Sequence, residues 1–363
     1  MSVLVTGGAG YIGSHVALAL LERGEKVVII DNLSTGIREL VPSAAVFVGG
    51  DIGDSLLVRN TLVRHNVRAI LHFAGSSVVP ESVEQPLRYY ANNTMASRTL
   101  IETALETGIR HFIFSSTAAV YRSPETATVD ETAPTQPASP YGRSKLVIEW
   151  ILEDTARCSS LHYVALRYFN VAGADPGGRS GQSTPHATHL IKRACQVALG
   201  QIPYLGIFGT DYPTPDGTGV RDYIHVSDLA AAHIHALDHL RAQGESGIFN
   251  CGYGHGFSVR EIVAAVERAT GQAIPVREMP RRAGDLPAVV SNPGKLKSRF
   301  GWVPRLDRID TIVQSAFAWE KRLTILGDSL PRRPVPHREI SMPLMMVDRA
   351  NYPPPLRAPD TPP

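Results

Sequence analysis

The sequence predicts an α/β fold in which a doubly wound parallel sheet carries a smaller C-terminal α/β lobe. Three observations lead there. Short apolar, β-rich runs alternate with helical stretches through the first half of the chain; glycines fall at a GxxGxxG spacing between the first run and the first helix; and an acid closes the second run. A strand that is apolar throughout is buried on both faces, and parallel neighbours need a crossover between them. This rhythm therefore means a parallel sheet with helices on both sides.

In chain order, residues 2–6 read as a buried strand, 11–23 as a helix and 26–30 as a second strand ending at Asp31. Runs 45–49, 69–73, 111–115 and 163–169 repeat the strand pattern, with helical segments such as 92–107 between most of them. After Val171 the rhythm changes. Gly- and Pro-rich loops at 173–185 and 209–219 flank a helix at 189–200, and further helices follow at 226–240, 259–270 and near 309–321. Periodicity stops beyond Leu323, where prolines accumulate and a loosely ordered tail is expected. The expected division is a Rossmann-type domain over 1–170, onto which helix 226–240 packs back, a substrate lobe over 171–323 and a tail over 324–363.

Bulk composition narrows the class. With 363 residues, 43% hydrophobic and 19% charged, the chain has ordinary globular composition and enough length for a full core. A formal net charge of +2 is too small to imply nucleic acid or an anionic membrane as partner. Cys158, Cys195 and Cys251 form no CxxC pair, which argues against a disulfide framework or a zinc site. No basic and apolar leader opens the chain, and no apolar run reaches the roughly 20 residues of a membrane span. A soluble, cytoplasmic setting is expected.

The chemistry-bearing residues cluster at predicted strand ends. Gly7, Gly10 and Gly13 let the backbone turn sharply and approach a pyrophosphate, while the following helix offers unpaired N–H groups to it. Asp31 stands where a carboxylate bonds a ribose 2′-OH and repels a 2′-phosphate, which favours NAD over NADP. Asp51 and Ile52, at another strand end, are candidates to bracket the adenine, and Phe73, Ala74 and Gly75 lie beneath the dinucleotide. Tyr141 and Lys145 are four apart on one helical face, and an ammonium beside a phenol favours the phenolate. The strand before them ends in Ser115, Ser116 and Thr117; Ser116 or Thr117 can bond a reacting oxygen and relay its proton.

Together these features resemble the extended short-chain dehydrogenase/reductases, and among them the UDP-glucose 4-epimerases. The motifs TGGAGYIGSH, DNLSTG, HFAG, PESVEQPLRYYANN, FSSTAAVY, SPYGRSK, LRYFNVAGA, IFGTDYPTPDGTGVRDYIHVSDLA and RRAGDLPA carry the resemblance, from residue 3 to about 304. It implies C4 epimerisation of a UDP-hexose through a transient 4-keto sugar, with tightly held NAD. Tyr141 would be the base, Lys145 would tune it and bind the ribose, and Thr117 would bond the 4-oxygen. The cofactor set would further include Tyr11, Ile12, Asn32, Asn92, Asn93, Ser115 and Tyr168. For the UDP-sugar, the resemblance implies Phe169, Asn170, His189, Leu190, Phe208, Arg221, Arg282, Asp285 and Val289. It also implies a homodimer through helices 92–107 and 144–155.

Several positions depart from the family pattern. A lysine common near Ser76 or Ser77 is missing, which would remove a phosphate contact; Arg122 replaces a glycine; and His189 stands where some members carry asparagine. Val289 occupies the gate of the sugar pocket, and its modest size predicts room for an N-acetyl group.

Other readings meet specific objections. A 4,6-dehydratase needs an Asp-Glu pair after the strand-edge threonine, whereas Ala118 and Ala119 follow Thr117. A non-catalytic NAD-binding protein would be expected to lose Tyr141, Lys145 or the arginines. A 4-epimerase for another UDP-sugar, a pentose or uronate, remains open. His235 and His239 share a helix face, but no HExxH surrounds them and no metal is expected.

Overall fold

The structure is a computed structural model that describes residues 1–121, 128–184, 187–282 and 285–326. Its centre is a seven-stranded, all-parallel sheet. From the middle strand Ser2–Thr6, one side continues through Lys26–Asp31 to Val46–Gly49. The other side runs through Val67–His72, His111–Ser115 and His162–Tyr168 to Gly247–Cys251. Strand order therefore reverses between Ser2–Thr6 and Val67–His72, and the crevice beyond the strand ends at such a reversal is where ligands bind in open α/β sheets.

Period-two alternation along each strand fills two separate cores. Val3, Val5, Ile29, Leu71 and Ile113 pack on one face with Val16, Ala17 and Leu20 of helix Tyr11–Glu22 and with Leu229, Ala232 and Ala236 of helix Val226–Arg241. Leu4, Val28, Ile30, Ile70, Phe112 and Phe114 pack on the other. There they meet Val58 and Leu62 of helix Ser55–Arg64, Leu100 and Ile101 of helix Ala96–Glu106, and Ile148 and Leu152 of helix Pro140–Cys158. Both faces are dry, which is why the strands read as continuous apolar runs.

The remaining elements build a rim over the crevice. Helices Leu190–Ala198, Val259–Thr270 and Ile309–Leu326 pack on one another through Ala194, Ile262, Val266, Ile312 and Val313. A capping box between Ser258 and Glu261 starts the second of these. Short strands Val220–Arg221, Phe257–Ser258, Ala288–Ser291 and Thr128–Val129 form a second sheet, and Asn170–Ala172 pairs with Tyr223–His225.

Three features differ from expectation. Gly247–Cys251 is the edge strand of the main sheet, although GIFNC has too little alternation to announce itself; pairing with His162–Tyr168 supplies what propensity does not. The segment expected as one helix over 92–107 starts as a π-helical turn, Tyr90–Met95, and becomes α-helical at Ala96–Glu106. Such turns recur at functional sites. The last helix runs to Leu326, three residues into the expected tail; Arg122 and residues 327–363 lie outside the described residues. Among the described residues, no helix is long and apolar enough to cross a membrane.

Asp222 ties the rim together. Fully buried, its carboxylate accepts bonds from Tyr253 N at 3.0 Å, Gly254 N at 3.1 Å, Ser291 N at 3.2 Å and Ser291 Oγ at 2.6 Å. Its own carbonyl accepts from Asn170 N at 3.0 Å. Asp222→Ala is expected to lower the unfolding free energy by about 3 kcal/mol, because several buried donors lose their acceptor at once. Urea denaturation measures this; an unchanged midpoint contradicts it.

Candidate active site

At the sheet's crevice the first strand turns through Gly7, whose φ is +67°, and Gly10 N bonds Gly7 O at 3.1 Å. A Cβ on Gly13 would sit 2.3 Å from the Gly7 carbonyl oxygen, so the third glycine sets how closely the helix approaches the turn. Helix Tyr11–Glu22 has Gly10 as its N-cap, with no side-chain cap and no acid in the first turn. Its terminal N–H groups suit an anion. Ile12 is partly buried against the core, and the Tyr11 hydroxyl donates to Gly173 O at 2.6 Å, joining the turn to the rim.

Asp31 is almost wholly buried at the end of its strand. Its oxygens accept from Ala9 N at 2.9 Å and Leu33 N at 2.8 Å; burial raises its pKa and these two bonds oppose the rise. Asn32 Nδ2 donates to Asp51 at 2.9 Å, and Asp51 also accepts from Gly53 N at 2.8 Å, beside buried Ile52. Thr6 Oγ1 accepts from the N–H groups of Phe73 and Ala74, each at 3.3 Å, fixing the loop that runs to Gly75.

The loop without its lysine is held another way. Asn93 Oδ1 accepts from Ser76 N at 2.7 Å, while its amide nitrogen donates at 3.0 Å to both Ser76 O and Ser144 Oγ. Asn92 donates to Ser76 Oγ at 2.9 Å. Both asparagines come from the π-helical turn, which thus clamps the loop to the Tyr141 helix.

That helix begins at Pro140, capped by Ser139. A Cβ on Gly142 would meet Ala119 O at 2.3 Å, so glycine is what allows the helix to lie directly on the turn that follows Thr117. Tyr141 and Lys145 are both buried. Burial pushes the Tyr141 phenol up, and a hydrogen bond with the Thr117 side chain opposes it. Lys145 Nζ donates to Ser115 O at 3.2 Å and lies 4.9 Å from the centre of the Phe114 ring. Burial lowers its pKa to about 8, against the pull of Glu149. The expected lowering of the phenol by the ammonium is therefore not the governing effect; the ammonium's bond goes to a carbonyl, and desolvation dominates Tyr141.

Of the two candidate relay hydroxyls, Thr117 faces Tyr141. Ser116 is completely buried and donates to Glu149 at 2.5 Å, so it is turned away from the reacting position. Ser115 Oγ pairs with the Tyr168 hydroxyl at 2.6 Å.

The candidate substrate residues fall into separate groups. Phe169 and Val289 pack together on Val120, Tyr121, Val129 and Leu146. Arg221 is in register with Val289 across the strand pair, and its guanidinium donates to Val220 O at 2.8 Å. The Arg282 guanidinium lies 3.7 Å from the centre of the Phe208 ring, and Asp285 N bonds Arg282 O at 3.2 Å. Asn170, His189 and Leu190 line one cleft with Tyr11 and Gly173. His235 and His239 bond the carbonyls of Phe300 and Glu245, and among the described residues no group of three His, Cys, Asp or Glu side chains could hold a metal. Glu149, on the Tyr141 helix one turn beyond Lys145, and Arg167, on the strand His162–Tyr168, form a buried ion pair; the spacing of Glu149 from Tyr141 and Lys145 along one helical face is the trace it leaves in the sequence.

Comparison with known proteins agrees with this geometry. The chain is 56% identical over 321 residues to a UDP-glucose 4-epimerase of Azospirillum brasilense, covering 88% of this chain and 92% of that one. It is similar to the crystal structure of UDP-glucose 4-epimerase from Brucella ovis in complex with NAD, with TM-score 0.85, 44% identity and coverage of 87% and 97%. It is also similar to the UDP-Glc/GlcNAc 4-epimerase of Campylobacter jejuni, with TM-score 0.78, 45% identity and coverage of 88% and 99%. A sequence profile described as "NAD dependent epimerase/dehydratase family" matches residues 3–252. Glycine turn, strand-end acid and buried Tyr–Lys pair thus stand within one frame, and the chain belongs to the NAD dependent epimerase/dehydratase family.

Proposed function

We propose that this protein is an NAD-dependent isomerase that interconverts the C4 epimers of a UDP-hexose, UDP-glucose and UDP-galactose. The observation that carries this is the buried Tyr141, hydrogen-bonded to Thr117 and one helical turn from Lys145, on the side of the sheet where the glycine turn also lies. The Azospirillum brasilense relative, named for this activity, supports it. A 4,6-dehydratase is disfavoured because Ala118 and Ala119, in the turn after Thr117, supply no acid to expel a 6-hydroxyl.

The residues present fit NAD. The open helix terminus after Gly10 receives a pyrophosphate, and Asp31 ends its strand with a carboxylate suited to a ribose diol. Lys145 and Tyr168, joined through Ser115, would meet the nicotinamide ribose, and Asn92 and Asn93 hold the Ser76 loop. When bound, NAD supplies the hydride acceptor that lets C4 be oxidised and then reduced from its other face. Tyr141 takes the 4-hydroxyl proton as that carbon becomes a ketone and gives it back on reduction, while Thr117 holds the oxygen. Lys145, its pKa lowered to about 8 by burial, would bind the ribose one helical turn from the phenol, whose own ionisation is governed by desolvation and the Thr117 bond. Arg221 and Arg282 offer guanidinium forks to the diphosphate, with Asp285 at the nucleotide ribose. Asn170, His189, Leu190 and Phe208 would complete the sugar-nucleotide site. Residues 1–170 with helix 226–240 would carry the cofactor and 171–323 the sugar nucleotide.

A second copy of the chain is part of the proposal. Val83, Leu87, Met95 and Trp150 are exposed on the neighbouring segments Val79–Glu84, Pro86–Tyr89, Tyr90–Met95 and Pro140–Cys158, an apolar surface suited to a helical dimer interface.

Tyr141→Phe is expected to retain fold and NAD while slowing conversion of UDP-galactose to UDP-glucose by at least about 100-fold. A variant with wild-type turnover would remove Tyr141 as the base. Val289 leaves a broader gate than an aromatic side chain, so turnover of UDP-N-acetylglucosamine is also expected. A panel of UDP-hexoses, UDP-N-acetylhexosamines, UDP-pentoses and UDP-uronates reads this out by 4-epimer formation. Absence of UDP-N-acetylgalactosamine at high enzyme concentration removes the broader gate, and epimerisation confined to a pentose or uronate replaces the hexose assignment.

A further inference from the structure

Behind the catalytic helix lies a charged pair that the proposed chemistry does not use. Glu149 and Arg167 are 1% and 3% exposed, and they meet fork to fork: Arg167 Nε donates to Glu149 Oε1 at 3.0 Å and Nη2 to Oε2 at 2.5 Å. Ser116 Oγ donates to the same Oε1 at 2.5 Å. The Arg167 guanidinium lies 4.7 Å from the centre of the Tyr121 ring. The Tyr121 hydroxyl donates to Asn250 Oδ1 at 2.6 Å, and Asn250 Nδ2 donates to Val129 O at 2.9 Å. The chain of contacts thus crosses from the edge strand Gly247–Cys251 to the helix Pro140–Cys158 and reaches the strand edge at Ser116.

Stability does not account for such a pair. Two charges taken out of water regain at best what they lose, and well-packed apolar residues of the same volume often do as well or better. What the pair supplies is direction. Ser116 N carries the strand ladder on to Leu166 O at 2.9 Å and Thr117 is extended, so their side chains project to opposite sides. With Ser116 held to Glu149, Thr117 is turned toward Tyr141. We propose that the Glu149–Arg167 pair is a positioning device for the epimerisation step: it pins the catalytic helix and the Ser116–Thr117 edge in one relative orientation, so that Tyr141 and Thr117 meet the same substrate oxygen. The inference rests on the functional reading above.

Glu149 also acts on Lys145. The groups facing that ammonium are Glu149 on its own helix, His72 from the strand Val67–His72, the Gly75 loop, and the Ser115 carbonyl and Phe114 ring from His111–Ser115. Burial, then the nearby Lys145, hold His72 at about 3, so it is neutral and does not titrate with Lys145. Glu149 is the group that opposes the lowering of Lys145 by burial.

The test compares wild type, E149Q and the double variant E149M/R167M, each isolated with NAD. The double variant leaves no unpaired buried charge and is designed to fold even where the single variant does not. Both are expected to keep bound NAD and to bind UDP-galactose with KM within about twofold, while kcat falls about 10- to 100-fold through misplacement of the reacting groups. For E149Q the alkaline limb of the kcat profile is expected at lower pH, because loss of the carboxylate disfavours the ammonium; the double variant removes both charges and is read by kcat and KM. A folded double variant with wild-type kcat overturns the proposal, as does a raised KM with kcat unchanged. No turnover of any UDP-sugar by the wild type sinks the functional reading and this inference with it; turnover kept by the variants sinks this inference alone.

Discussion

The contact between the Tyr141 helix and the end of the His111–Ser115 strand governs the architecture of the site. Gly142 allows it, since any side chain there would strike the Ala119 carbonyl. Because the helix lies so close, Tyr141 and Lys145 are both withdrawn from water, and Thr117 comes within hydrogen-bonding reach of the phenol. The parallel sheet fixes where this happens. Its reversal of strand order opens a crevice at the C-terminal ends of the strands, and the glycine turn, Asp31, the loop from Phe73 to Gly75 and the Ser115–Thr117 edge all arrive on that side.

Burial makes the electrostatics of the site a matter of opposed tendencies. It pushes the phenol up and Lys145 down to about 8, so neither ionises as it would in water. Polar partners hold these groups in place: Ser115 O for Lys145, Thr117 for Tyr141, and backbone N–H groups for Asp31. Fixed dipoles of this kind need little rearrangement when charge moves during reaction. The two arginines proposed for the diphosphate are left more accessible, with Arg282 stacked on Phe208 and Arg221 beside the Val289 strand.

Much of the fold is legible in the sequence because parallel strands and crossover helices write themselves as local apolar patterns, and the glycine spacing and Tyr–Lys interval are local too. What was not legible depends on partners distant in the chain. Gly247–Cys251 becomes a strand only because His162–Tyr168 offers an edge. Ser116 and Thr117 look interchangeable until Glu149, more than thirty residues on, claims one of them. The clamp on Ser76 by Asn92 and Asn93 likewise follows from a π-helical turn that shifts side-chain phase, which no helical periodicity announces. Arg167 and Tyr121 fall inside the LRYFNVAGA and FSSTAAVY motifs and Asn250 in none, but no motif tells of their relation, which exists only once the strands His162–Tyr168 and Gly247–Cys251, the turn after Thr117 and the Tyr141 helix are assembled.

With Tyr141 handling only the proton, the hydrogen that leaves the sugar's C4 returns to it as hydride, and UDP-galactose carrying deuterium at C4 tests this directly. Conversion in ordinary water should give UDP-glucose that keeps the deuterium at C4, since the label travels as hydride and does not exchange with solvent. Product in which C4 has taken up hydrogen from water would contradict it, and would make the reaction a proton abstraction in place of an oxidation and re-reduction.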